Sequence, residues 1–71
     1  MGQAFDIRVN GRDVPLSAAT IADLLAEQAV DRGQRGLAVA LNGLVVPRPA
    51  WGETALRPGD SVEIVRAMQG G

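Results

Sequence analysis

Two Asn-Gly pairs constrain the fold of this chain more than any other feature of its sequence. Asn10-Gly11 and Asn42-Gly43 each separate two short stretches that are rich in apolar residues. Asn and Gly tolerate the positive φ angles of a two-residue type I′ turn, which suits the twist of two antiparallel strands. The sequence therefore predicts two β-hairpins.

The first hairpin is predicted to begin at Phe5. From there polar and apolar residues alternate with the period of a half-buried strand, and those facing the core would be Phe5, Ile7 and Val9. After the turn, Val14 and Leu16 resume the alternation. Pro15 has no backbone N–H to donate, so the second strand should lie at an edge of the sheet.

One amphipathic helix is predicted over roughly residues 20–30, between the hairpins. Thr20 followed three residues later by Asp23 resembles an N-cap with an acidic first turn. Apolar residues then recur at helical spacing, namely Ile21, Leu24, Leu25 and Ala29. Gly33 and Gly36 follow the predicted end of the helix and are its candidate C-cap residues, since Gly is the usual residue of a left-handed C-cap.

The second half of the chain is predicted to add three strands. Residues 37–41 and 44–46 form the second hairpin, and residues 48–58 form an ordered loop with one helical turn. Trp51 in that loop is predicted to fill the core. Arg57-Pro58-Gly59-Asp60 reads as a turn, after which Val62 and Ile64 face inward on the last strand.

The resulting order, ββαβββ, predicts an α+β fold of the ubiquitin-like β-grasp type. One helix crosses a mixed five-stranded sheet and covers a single face, because it is too small to cover two. Residues 1–66 would form the domain and residues 67–71 a flexible C-terminal tail. The other face would carry small and apolar residues that favour a protein partner, namely Ala38, Ala40, Val45 and Val65.

Composition excludes several functions. The 71 residues include no His, Cys, Lys or Tyr and no nucleotide-binding loop, so we expect neither an enzyme, a metal site nor a bound cofactor. A net charge of −1 with scattered arginines argues against nucleic acid. The lack of cysteine, of a targeting segment and of a long apolar run predicts a cytoplasmic chain that does not bind membranes.

Gly70-Gly71 gives the chain an unhindered terminal α-carboxylate. Without side chains, both residues can enter a channel too narrow for a Cβ atom, where a partner enzyme would reach the carboxylate. Extended residues 67–71 would span roughly 16 Å. The chain has no recognisable means of using ATP itself, so activation of this carboxylate would need a second protein.

Several motifs together resemble the ThiS family of bacterial sulfur carriers. They are Leu-Ala-Val-Ala-Leu-Asn-Gly from Leu37, Val46-Pro47-Arg48 followed by Trp51, Pro58-Gly59-Asp60, and Ala67-Met68-Gln69-Gly70-Gly71. The resemblance runs over nearly the whole chain. It implies a ubiquitin-like protein that supplies sulfur for the thiazole ring of thiamine.

The resemblance also implies a mechanism and partners. An E1-like adenylyltransferase of the ThiF type would adenylate Gly71, a cysteine desulfurase or rhodanese would provide sulfur, and the thiocarboxylate would serve a ThiG-type thiazole synthase. The tail from Ala67 to Gly70 would be recognised along its length. Arg66 beside the tail is expected to join Ala38, Ala40, Val45 and Val65 in docking.

Three alternatives remain open at this point. The small subunit of molybdopterin synthase has a similar fold, Gly-Gly end and thiocarboxylate, but tends to be longer and to approach the diglycine through prolines, where this tail has Ala67-Met68-Gln69. A ubiquitin-like modifier would join Gly71 to lysines of other proteins. An inert interaction domain would need neither terminal glycine. We expect a monomer, because a carrier must leave each partner after delivery.

Overall fold

Strands and helix follow the predicted order ββαβββ in the computed structural model, which describes residues 6–31, 33 and 35–66. The elements are β1 Asp6–Val9, β2 Arg12–Pro15, α1 Ile21–Glu27, β3 Leu37–Leu41, β4 Leu44–Val46, a 3-10 turn Arg48–Ala50, and β5 Ser61–Arg66. The predicted inward-facing Phe5 lies outside the described residues, and β2 ends one residue before Leu16.

The five strands form one mixed sheet in the order β2-β1-β5-β3-β4. Each hairpin is antiparallel, β3 and β5 are antiparallel, and β1 and β5 are parallel. The last strand of the chain is therefore the central strand of the sheet. Pro15 belongs to an edge strand, as its missing N–H predicted.

Both Asn-Gly pairs form the predicted type of turn, with φ angles of 51° and 83° at Asn10-Gly11 and 52° and 87° at Asn42-Gly43. Their side chains also bind the central strand. Asn10 Oδ1 accepts from the Ile64 N–H at 2.8 Å, and its Nδ2 donates to the Ile64 carbonyl at 3.3 Å. Asn42 Oδ1 accepts from the Ser61 N–H at 2.9 Å. The two hairpin turns thus hold β5 from both sides.

The turn before β5 is of type II. Pro58 supplies the fixed φ of its second position and Gly59 the positive φ, 89°, of its third. The Asp60 N–H closes the turn on the Arg57 carbonyl at 3.1 Å. The Asp60 carboxylate accepts from the Arg57 N–H at 2.9 Å and from Asn42 Nδ2 at 3.1 Å. This turn and the second hairpin therefore fix the start of β5 together.

Helix α1 has the predicted N-cap. Thr20 Oγ1 accepts from the Asp23 N–H at 3.2 Å, and the Thr20 carbonyl accepts from Leu24. The first two helical N–H groups donate to the loop that carries Trp51, Ile21 to the Thr54 carbonyl and Ala22 to the Trp51 carbonyl, both at 3.1 Å. The N–H groups of Ile21, Ala22 and Asp23, which have no partner within the helix, are therefore all satisfied, and two of them bond this end of the helix to the loop.

The helix ends three residues before the predicted bound, and the prediction that Gly33 or Gly36 caps it was wrong. The helix stops at Glu27, and the left-handed residue at its C-terminus is Ala29, with φ 59°; Gly36 also has a positive φ, 75°, but lies nine residues beyond Glu27. The Val30 N–H donates to the Leu25 carbonyl and the Ala29 N–H to the Ala26 carbonyl, the two bonds of a Schellman motif. Val30 and Leu25 are both buried. Burial of Val30 and these bonds offset the strain of a left-handed alanine.

The core lies between α1 and one face of the sheet. Trp51 is only 4% exposed, and its Nε1 donates to the Val46 carbonyl at 2.8 Å, so the prediction that it fills the core is confirmed. The Arg48 guanidinium lies 5.1 Å from the centre of its ring. Side chains that are at most 2% exposed are Ile7, Ile21, Leu24, Leu25, Val39 and Val62.

We predict that Ala29→Gly stabilises the domain. Glycine removes the left-handed strain, which costs about 1–2 kcal/mol. Its greater conformational freedom stabilises the unfolded chain and so cancels part of this gain in stability. The free energy of unfolding, measured with urea, should rise by about 0.5–1 kcal/mol. Ala26→Gly is the matched control on the exposed side of the helix and should lower it by about 0.5–1 kcal/mol. A lower stability for Ala29→Gly would contradict the Schellman assignment.

We also predict that the side chains of the turn asparagines stabilise β5. Asn10→Gly and Asn42→Gly keep the positive φ but remove the bonds to the central strand, so each should lose about 1–2 kcal/mol of unfolding free energy. The corresponding alanine variants should lose more, because they add left-handed strain. Urea denaturation gives all four values. Glycine variants as stable as the wild type would show that these side-chain bonds contribute nothing.

Candidate functional site

The face of the sheet that α1 leaves uncovered carries an apolar surface, called here the outer patch and formed by Ala38, Ala40, Val45 and Val65. Ala38 pairs in register with Val65, and Ala40 with Val45. Residues directly opposite on neighbouring strands share a face, so the four lie side by side across β5, β3 and β4. Val45 is 74% exposed and Val65 57%. The sequence predicted this grouping, and the register produces it.

The rest of the outer face is polar. Arg8 and Asp13 pair in register on β1 and β2, and Arg8 Nε lies 3.4 Å from Asp13 Oδ1. Both side chains are more than half exposed, so this ion pair contributes little to stability. Glu63 on β5 pairs in register with Ala40 and lies beside the outer patch. The outer face is thus divided into an apolar part on β3, β4 and the end of β5, and a charged part on β1 and β2.

Arg66 lies on the opposite face from the outer patch. It pairs in register with Leu37, which is buried on the helix side, whereas its neighbour Val65 pairs with the exposed Ala38. Arg66 was predicted to join the patch in docking because it stands beside the tail, but successive strand residues point to opposite faces. Arg66 lines a cavity of about 330 Å³ with Val9, Asn10, Gln28, Val30 and Ile64.

The tail that the sequence singled out follows directly from the central strand. Val65 of the outer patch is two residues before Ala67, the first residue of the tail. Residues Ala67, Met68, Gln69, Gly70 and Gly71 lie outside the described residues. The outer patch therefore lies close to Arg66, the residue after which the tail begins in the sequence.

Leu44 is a further exposed apolar side chain, on the face opposite the outer patch, whose exposure the sequence did not predict. It pairs with Leu41, which packs against the core, yet Leu44 itself is 73% exposed. The sequence predicted only that Leu44 belongs to the second strand of this hairpin. The edge formed by β4 is consequently apolar on both sides.

The described residues contain no group of three or more His, Cys, Asp or Glu side chains that could hold a metal ion. No helix in the described part of the chain is long and apolar enough to cross a membrane. Every buried side-chain N or O atom among the described residues has a hydrogen-bond partner.

Comparison with known proteins gives concordant results. The model of the ThiS family matches residues 7–71. The sulfur carrier protein ThiS of Thermus thermophilus is 41% identical over 68 residues, covering 89% of this chain and 95% of that protein. A crystal structure of the thiamine biosynthesis protein ThiS from Geobacter metallireducens is 32% identical, with a TM-score of 0.76, and covers 93% of this chain and 99% of that one.

The solution structure of a thiamine biosynthesis protein from Geobacter metallireducens gives a TM-score of 0.74 at 32% identity and covers 93% of this chain and 87% of that one. The similarity thus includes both hairpins, the helix, the central last strand and the sequence of the tail. The chain belongs to the ThiS family of sulfur carrier proteins.

Proposed function

We propose that the carboxylate of Gly71 carries sulfur for formation of the thiazole ring of thiamine. The observation that carries this proposal is the family match, which extends through the Gly-Gly end of the sequence. The absence of cysteine supports it, because this chain has no thiol of its own on which sulfur could travel. Sulfur would therefore travel on the C-terminus.

The chemistry requires activation by a partner. A carboxylate is a poor electrophile, so an E1-like adenylyltransferase of the ThiF type would transfer AMP from ATP to Gly71 and release pyrophosphate. A persulfide of a cysteine desulfurase or rhodanese would then attack the acyl carbon as AMP leaves. Cleavage of the resulting acyl disulfide by a thiol gives the thiocarboxylate and a disulfide. A ThiG-type thiazole synthase would consume the thiocarboxylate, and we expect all these steps in the cytoplasm.

The folded domain would serve as the surface by which these enzymes hold the tail. Extended residues 67–71 span roughly 16 Å, enough to reach a buried active site while the outer patch stays on the enzyme surface. Ordering the tail costs about 1–2 kcal/mol per residue. Contacts with the outer patch and with the tail from Ala67 to Gly70 would offset that cost. Arg66 would interact from the other face, near the root of the tail.

We predict that the protein isolated from its host contains a thiocarboxylate. Intact-mass and C-terminal-peptide mass spectrometry should find one oxygen replaced by sulfur, located at Gly71. Oxidation of Met1 or Met68 gives a nearly equal mass change, so the peptide spectra must separate the two. Gly71 found joined to lysines of other proteins would instead support a ubiquitin-like modifier. Gly71 present only as a free carboxylate would count against the carrier proposal.

We predict that Gly71→Val lowers adenylation without unfolding the domain. A β-branched side chain at the reacting carboxylate would displace it in a narrow channel, and a displacement of about 1 Å costs on the order of 100-fold in rate. ATP–pyrophosphate exchange with the adenylyltransferase measures this loss. Gly52→Val is a matched control, since a Cβ atom there meets nothing within 4 Å, and it should be adenylated normally. Activation of Gly71→Val at the wild-type rate would exclude the narrow channel.

A further inference from the structure

Glu63 places one negative charge against the outer patch. It lies on the central strand β5, opposite Ala40 in register and two residues before Val65, so its side chain is on the same face as both. Glu63 is exposed and makes no hydrogen bond or ion pair with any described residue. It is thus an unpaired carboxylate at the border of an otherwise apolar surface.

The nearby cations of the described residues do not neutralise it. Arg8 is the basic residue of the outer face on β1, and its Nε is directed to Asp13 on β2. Arg66, on the same strand as Glu63, is three residues away and therefore on the opposite face. The charge remains available to whatever covers the outer patch.

We infer that Glu63 selects the partner of the outer patch, and that this partner places an arginine or lysine opposite it within an apolar surface. This inference rests on the proposed function, in which an adenylyltransferase covers the patch. An apolar partner surface would remove water from the carboxylate without replacing its hydrogen bonds, which strongly disfavours docking. A basic side chain would restore them, preferably an arginine that binds both oxygens.

The pairing also fixes the orientation of the complex. The four residues of the outer patch are aliphatic and non-directional, so by themselves they allow the partner to rotate on the sheet. One charge pair at the border of the patch selects a single orientation and speeds encounter at low salt. The tail, which begins two residues after Val65 in the sequence, would then be directed consistently toward the active site.

Binding of Glu63 variants to the ThiF-type adenylyltransferase of the same organism tests the inference. Glu63→Gln should raise the Kd about 30-fold or more by leaving the enzyme's cation unpaired, and Glu63→Arg should raise it about 1000-fold by adding repulsion. Glu53→Arg makes the same change in net charge in the loop before β5 and should bind as the wild type does. Thermal unfolding should be unchanged in all three, because neither glutamate side chain has a partner among the described residues.

A charge exchange completes the test. Changing the responsible arginine or lysine of the enzyme to glutamate should restore binding of Glu63→Arg while weakening binding of the wild type. Equal Kd values for wild type, Glu63→Gln and Glu63→Arg would overturn the inference while leaving the carrier function intact. Failure of the wild type itself to bind and be adenylated would overturn the proposed function, and the inference with it.

Discussion

The position of β5 between β1 and β3 is the constraint on which the rest of this structure depends. Only β5 connects the two hairpins in the sheet. It pairs with Arg8 and Val9 of the first hairpin on one side and with residues 37–41 of the second on the other. These pairings join residues far apart in sequence, so the five-stranded sheet is complete only when β5 has paired with both hairpins. The helix then has a continuous apolar face against which to pack.

The same arrangement suits the proposed role of the tail. Binding of the tail by an enzyme would pull on β5, the strand that precedes the tail in the sequence. β5 is paired with a neighbouring strand on both sides. Asn10 and Asn42 add side-chain bonds to its backbone, and Asp60 fixes the turn before it. In the proposed function, these contacts would keep β5 in place when a partner binds the tail.

Helix α1 covers only one face of the sheet, so the outer face is left uncovered. Covering that face within one small domain would need another helix, and the chain has no further amphipathic segment in its described part. The aliphatic side chains on β3, β4 and β5 therefore remain exposed beside Glu63, and this is the surface on which we propose that a partner docks. In the proposed function, the domain would be a carrier whose surface selects its partners and whose chemistry those partners supply.

Local sequence determined the turns, the strands and the start of the helix, because Asn-Gly pairs, alternating residues and the Thr20 cap act through their immediate neighbours. The sequence also supplied the Gly-Gly tail and the motifs of its family. Tertiary structure decided the rest. Burial of Val30 ends the helix at a strained Ala29. Strand pairing places Arg66 and Val65 on opposite faces of the sheet. The turn asparagine Asn10 bonds to β5, which lies far along the chain. Each outcome depends on contacts between distant residues, which no local pattern contains.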